Sequence, residues 1–249
     1  MRKKTSYKEV DTDDKVGKKS STKNSTKSKT ETVAPTKIKI KCKNEYQKEF
    51  IKMIDEHEIT LCGGPAGCGK SYLSLIKALD YVLTPDNGYN TLYIITPTVE
   101  VGDSIGYLKG SISEKLDPYI YSSYYLIDNL IGKSNREKLV SEGVIQTLVL
   151  SFIRGINIDN AILVFEEAQN STIGQMKTLI TRIGKHSKFI ISGDVKQIDK
   201  FKNWNESGLI DAFNRFKKFN KIGKFDFSGA PSVRNAMIDD ILNFYEDNE

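Results

Sequence analysis

Nine residues, "GGPAGCGKS" at positions 63–71, constrain the fold of this chain more than any other stretch. They hold Gly64, four residues, then Gly69-Lys70-Ser71, the GxxxxGK[ST] spacing of a phosphate-binding loop. The apolar run "EITLC" before them reads as a strand, and "YLSLIKALDYVL" after them repeats apolar residues at helical spacing. Strand, glycine turn and helix in that order turn backbone N–H groups and the positive end of a helix dipole toward an anion. Gly64, Pro65, Ala66, Gly67, Cys68 and Gly69 are therefore candidate cradle residues, with Tyr72 just inside the helix. Lys70 is placed to reach the β and γ phosphates of a nucleotide such as ATP, and the Ser71 hydroxyl to ligate Mg²⁺. Cys68 reads as a small filler of the loop rather than as a redox switch.

The rest of the body alternates strands with helices. "TLYIITP", "VIQTLVLSFIRG", "AILVFEE", "KFIISGD" and "KIGKFDF" read as further strands. "NEYQKEFIKMIDEH" carries Tyr46, Phe50, Ile51 and Ile54 on one face of a helix, and the Tyr-rich stretch 102–143 reads mostly as helices. "TIGQMKTLITRIG" is expected to be a helix stopped by Gly184, and "RNAMIDDILNFY" a closing helix. Continuous apolar strands between helices predict an α/β fold, a mostly parallel sheet with helices on both faces.

Charge divides the chain. Residues 1–41 carry thirteen basic against five acidic residues, while the whole chain is only +5. Residues 1–38, with almost no apolar content, are expected to form a disordered basic tail. Such a tail either adds nonspecific affinity for nucleic acid or only keeps a Lys-biased protein in solution. No apolar run nears the ~20 residues of a bilayer span, so no membrane partner is expected. The first residues lack the apolar core of a secretory signal. Three cysteines and two histidines show neither metal spacing nor an even disulfide set, which suits a reducing, cytoplasmic setting.

"ILVFEEAQN", residues 162–170, ends a buried-type strand in two carboxylates, Glu166 and Glu167. With the phosphate loop, the series "VEVGDSIGYLKGSISEKLDPY", "FIRG", "EEAQNSTIGQMKTLITRIGKHSK" and "ISGDVKQID" resembles the PhoH-like ATPase family over roughly residues 43–245. The resemblance implies that residues 39–249 form one RecA-like P-loop NTPase domain, similar to the first motor domain of superfamily 1 helicases. It implies a cytoplasmic protein that uses ATP and Mg²⁺ and acts on RNA or single-stranded nucleic acid. The compact length suits a bacteriophage member working in its host's cytoplasm.

Carried across by position, the resemblance gives Gln47 the adenine edge, which an amide can read because it donates and accepts. The competing reading is a solvent-facing Gln on an amphipathic helix. Glu166 takes the metal-orienting place and Glu167 polarises the attacking water. Gln197 senses the γ-phosphate and Asp194 holds its turn. Arg234 is the candidate finger or sensor, acting on a neighbouring subunit in a closed ring such as a hexamer. Arg154 lies at a strand end beside the same edge; for both arginines a surface ion pair is the competing role. Arg182 either joins them or opposes a helix dipole. "TPT", 96–98, is similar to a motif that touches nucleic-acid backbones. Tyr107, Tyr119, Tyr121, Tyr124 and Tyr125 either stack on bases or pack the helices.

Five positions, two of them adjacent, depart from the family pattern. Glu166 replaces an aspartate, Thr96 an arginine before the proline, Lys109 a proline, and Ile156-Asn157 an Arg-Thr pair. Since magnesium demands tight octahedral geometry, the extra methylene of Glu166 predicts ATP binding more firmly than fast hydrolysis. A slow or binding-only regulatory protein is the first rival and a small-molecule phosphotransferase the second.

Overall fold

A computed structural model describes residues 38–95, 112–150, 153–197, 203–234 and 237. The tail, "TPT", Tyr107, Lys109, the Tyr119 side chain and nearly all of the closing helix lie outside these residues.

Six strands form one parallel sheet: β1 (Ile59–Gly63), β2 (Thr91–Ile95), β3 (Ile145–Leu148), β4 (Ala161–Phe165), β5 (Lys188–Ser192) and β6 (Ile222–Asp226). Their order across the sheet is β3-β2-β4-β5-β1-β6. The helices are α1 (Glu45–Glu56), α2 (Lys70–Leu83), α3 (Ile112–Ile131), α4 (Lys133–Ser141), α5 (Ile173–Ile180) and α6 (Gly208–Arg215).

Both faces of the sheet are covered, and the period-two alternation of the strands sorts their side chains between two cores. Cys62, Leu92, Ile94, Ile162, Val164 and Ile190 point to the core shared with Phe50 and Ile54 of α1, Leu73 and Leu79 of α2, Ile127 of α3 and Leu139 of α4. Leu61, Ile95, Leu163, Phe165, Phe189 and Ile191 point the other way, onto Met176 and Leu179 of α5 and Leu209 and Ala212 of α6. Because the strands are parallel, their carboxyl ends share one edge, the edge at which open α/β sheets place their ligands. With β5 inserted between the phosphate-loop strand β1 and the acidic strand β4, this is the RecA-like arrangement of a P-loop NTPase.

The structure corrects four readings of the sequence. Among the described residues of "VIQTLVLSFIRG", the strand covers four, Ile145–Leu148. Helix α6 was not anticipated, although Leu209, Ala212 and Phe216 repeat at helical spacing. On α1 the buried stripe is Gln47, Phe50 and Ile54, while Tyr46 faces solvent. Gly184 does not stop α5, which ends at Ile180 with Thr181 as its cap. A Cβ at Gly184 would overlap the Asp159 carboxylate and the Ile158 carbonyl oxygen. Its backbone N–H donates to that carbonyl at 2.9 Å, so glycine permits a close crossing of two loops.

At the amino edge of the sheet, Lys188 of β5 is buried and ends under the last turn of α1. Its Nζ donates to the carbonyl oxygens of Ile54 (2.8 Å), Asp55 (3.0 Å) and His57 (2.8 Å). These are the orphan acceptors and the negative end of a helix, the place where a cation is stabilising. Burial pushes the ammonium pKa down, against the pull of Asp55 and Glu58.

Candidate nucleotide site

The phosphate loop leaves β1 at Gly63 and enters α2 at Lys70, so the helix dipole points into it. Gly64 sits at φ 136°, and a Cβ there would stand 2.5 Å from the Cβ of Phe227. The close approach is fixed by Phe227 N–H donating to the Gly63 carbonyl at 2.9 Å. A Gly64→Ala change combines this clash with a left-handed backbone. It is expected to lower stability by about 1–3 kcal/mol, measured by urea unfolding.

Lys70 Nζ lies across the loop, donating to the carbonyls of Gly64 (2.6 Å) and Pro65 (2.7 Å). The Cys68 thiol is buried and donates to the Pro65 carbonyl at 3.1 Å. Burial raises its pKa more than the nearby Lys70 lowers it, so it remains a thiol that packs the loop from within. Pro65 and Ala66 are half-buried, and Tyr72 is exposed on the first turn of α2.

Gln47 is buried against this loop rather than turned to solvent. Its Nε2 donates to the Cys68 carbonyl at 3.0 Å and its Oε1 accepts from Lys43 N–H at 2.7 Å. A Cβ on Gly69 would meet the same Nε2 at 2.8 Å. Gln47 therefore braces the cradle from α1, with both ends of its amide engaged.

The chain after β6 roofs the loop. Val233 N–H donates to the Gly67 carbonyl at 3.0 Å, and Lys43 Nζ reaches the Val233 carbonyl at 3.3 Å. Arg234 Cδ stands 3.0 Å from where a Gly67 Cβ would be. Its stem thus lies on the phosphate loop of its own chain, and its residue is exposed. Arg154 occupies an exposed turn after edge strand β3, four strand positions from β1, and among the described residues it makes no hydrogen bond or ion pair to the phosphate loop. Arg182 follows the α5 cap and directs Nη1 to the Ile156 carbonyl at 3.5 Å, bracing the loop that holds Arg154.

Glu166 and Glu167 follow β4 but enter different surroundings. Glu166 is buried and tied to β2 through its N–H, which donates to the Ile95 carbonyl at 3.1 Å. Its carboxylate accepts a hydrogen bond from the Ser123 hydroxyl, and the Ser71 side chain lies close enough to favour its charged form. Desolvation raises its pKa; the two serines pull it down and Glu167 pushes it up. The two expected metal-shell residues, Ser71 and Glu166, therefore lie near one another although β5 separates their strands.

These residues fit a hydrated magnesium ion. One hydroxyl and one carboxylate meet beside Lys70, and the described residues contain no group of three His, Cys, Asp or Glu side chains able to hold a metal. Magnesium keeps several waters and shares phosphate oxygens instead of filling an all-protein cage.

Glu167 is exposed and holds a left-handed backbone at φ 52°, uncommon for a non-glycine residue. Gln169, fully buried, secures it. Its Nε2 donates to Glu167 Oε2 at 2.8 Å and to the Gln197 carbonyl at 3.1 Å, and its Oε1 accepts from Asp194 N–H at 3.0 Å. Asp194 Oδ1 in turn accepts from Lys196 N–H at 2.9 Å, closing the turn that presents the exposed Gln197 side chain. One amide thus joins the loop after β4 to the loop after β5.

Comparison with known proteins settles the lineage. The family model described as PhoH-like protein matches residues 39–246. The chain belongs to that family. It is 35% identical over 201 residues to the PhoH-like protein of Bacillus subtilis, covering 80% of this chain and 62% of that one. Identity to Protein PhoH of Escherichia coli K12 is 30% over 204 residues, covering 81% and 57%. The chain thus spans about three fifths of the length of the relatives it matches. Among solved structures, Bacteroides Pif1 bound to ssDNA is similar at 12% identity and TM-score 0.34, covering 82% of this chain and 46% of that one. At that level nothing is transferred from it.

Sequence reasoning missed Ser123 and Gln169. The cue for Ser123 was a small polar residue on the buried stripe Ile120–Ser123–Ile127 of α3. Gln169 had no cue, because its three partners lie in two loops. No helix among the described residues is long and apolar enough to cross a membrane.

Proposed function

We propose that this PhoH-like chain is a magnesium-dependent ATPase acting on RNA or single-stranded nucleic acid. The observation that carries the reading is the convergence of Lys70, Ser71, Glu166 and Glu167 at one edge of the sheet, with Gln169 joining Glu167 to the Gln197 turn. Lys70 and the loop N–H groups hold the phosphates of ATP. The cation, when bound, offsets charge on the β and γ phosphate oxygens. Ser71 and Glu166 hold its water shell, and Glu167 accepts a proton from the attacking water. Gln197 stands at the γ-phosphate side, and Arg234 supplies positive charge over the loop as charge develops in transfer.

The stem of Arg234 against its own Gly67 supports a site completed within one chain. In the rival arrangement, a ring of up to six copies, a neighbour supplies that arginine. Light scattering of the ATP-bound protein separates the two: turnover by a monomer overturns the ring.

Two exposed tyrosines on α3 support the nucleic-acid half of the reading. Tyr121 and Tyr125 are 70% and 58% exposed, and their rings stack at 6.5 Å. Tyr124 is engaged inward, under the Arg136 guanidinium at 4.6 Å. Replacing Tyr121 and Tyr125 by alanine is expected to weaken single-stranded RNA binding by about 1–3 kcal/mol per stacked base, read by fluorescence anisotropy. Since both rings face solvent, thermal stability is expected to stay unchanged.

The test of the whole reading is ATP turnover with and without single-stranded RNA, for the natural chain beside Glu166→Asp and Glu167→Gln. A gain in Glu166→Asp with loss in Glu167→Gln supports the roles assigned. Equal, negligible turnover in all three leaves the binding-only protein. Turnover indifferent to RNA removes the nucleic-acid half.

A further inference from the structure

We propose that Ser123, on the buried face of α3, is a positioning residue that fixes the Glu166 carboxylate for the cation of the nucleotide. The inference rests on the ATP-site reading above and goes beyond it by linking a helix outside the nucleotide-binding loops to the metal shell.

The hydroxyl of Ser123 donates to Glu166 Oε2, and Ser123 is fully buried. Ser71 lies near the same carboxylate and favours its charged form. A carboxylate offers about four lone-pair sites on two oxygens, so the bond from Ser123 leaves acceptor capacity for a metal-bound water. The two serines have separate jobs. Ser71 belongs to the phosphate loop and is itself a metal-shell residue. Ser123 comes from α3 and meets the carboxylate from the helical layer.

The need for a second anchor follows from the glutamate. A glutamate has one more rotatable bond than an aspartate, so its carboxylate sweeps a larger arc unless something holds its far end. Magnesium tolerates little angular error in its octahedral shell, and groups that hydrogen-bond a ligand set that orientation. Ser123 is placed to do this, and its complete burial means that no bulk water can take over when its hydroxyl is lost. A second consequence comes from the shape of α3. Tyr121 and Tyr125 lie on its solvent face and Ser123 on its inner face, so a partner that shifts the helix shifts the donor of Glu166.

The experiment is nucleotide affinity, measured by calorimetry with ATP in magnesium and again with ATP in EDTA. The chains compared are the natural protein, Ser123→Ala, Ser123→Thr and Ser123→Ala in a Glu166→Asp background. The natural chain is expected to bind ATP more tightly with magnesium. Ser123→Ala should lose about tenfold or more of that magnesium-dependent gain, in line with other groups that orient metal ligands, while affinity in EDTA stays level. Ser123→Thr, which keeps the hydroxyl, should restore the gain. In the Glu166→Asp background the shorter side chain no longer reaches Ser123, so the alanine change should cost nothing further.

A full magnesium gain in Ser123→Ala overturns the proposal and leaves the ATP site standing. An equal fall with and without magnesium also overturns it, because that marks damage to packing. If the natural chain shows no magnesium-dependent ATP binding, both the proposal and the ATP-site reading fail. Should the alanine variant not fold, Ser123→Cys keeps the volume with a weaker donor and must show the same selective loss.

Discussion

Replacing Glu167 by glutamine is expected to lower magnesium-dependent ATP turnover by roughly 10²- to 10⁴-fold, with nucleotide affinity nearly unchanged. The carboxylate stands at the end of β4, exposed and held by the buried amide of Gln169. Glutamine keeps the size and can still meet Gln169, but it cannot accept the proton of an attacking water. Binding survives because Lys70 and the loop are untouched. Single-turnover hydrolysis beside equilibrium binding of ATP measures both halves. A fall in affinity that matches the fall in rate would move Glu167 from proton acceptance to phosphate binding.

The second large effect lies at the opposite edge of the sheet. Lys188→Ala is expected to destabilise the fold by about 3–5 kcal/mol, the range for removing one member of a buried, charge-assisted set. Three carbonyls at the end of α1 lose their common donor, and two of them belong to the last turn of that helix. The effect should carry a pH signature. Burial lowers the Lys188 pKa in the folded chain, so between that lowered value and the unfolded value of about 10.4 the unfolded chain binds the extra proton. Stability contributed through Lys188 therefore rises with pH across that window. The gap between the natural chain and Lys188→Ala should widen as the pH is raised toward that unfolded value, as read by urea unfolding at each pH. A gap that narrows would show that the ammonium is better held in the fold than in water.

The two sites were not equally legible in the sequence. A contiguous motif such as "GGPAGCGKS" declares itself because its residues act together where they stand. Strands β1, β4 and β5 declare themselves because burial on both faces demands an unbroken apolar run. The strand β3 was overread for the same reason: "LVLSFI" is apolar, yet among the described residues only Ile145–Leu148 pair with β2. Gln169, Ser123 and Lys188 could not be found this way. Each is an ordinary polar residue until folding brings up partners from 25 to 134 positions away, joined in the case of Gln169 by the neighbouring Glu167. The family resemblance located Glu166 and Glu167, while only the fold tells them apart, one buried under the Ser123 hydroxyl and the other held open in a left-handed turn.

The strand that closes the sheet beside β1 is the last of the six, and it carries the roof of the phosphate loop. β1 begins at residue 59 and its neighbour β6 at residue 222, so a chain growing from a ribosome exposes "GGPAGCGKS" long before Phe227 and Val233 can reach it. Until then Gly63 and Gly67 lack the amides that fix their carbonyls, and β1 lacks one of its two flanking strands. Pairing over such a separation is slow because the loop between must close first. The motif is written early, but the pocket is finished only by the end of the sheet. A fragment that stops before residue 222 would keep Lys70, Ser71 and Glu167 in its sequence and lose their common place in space.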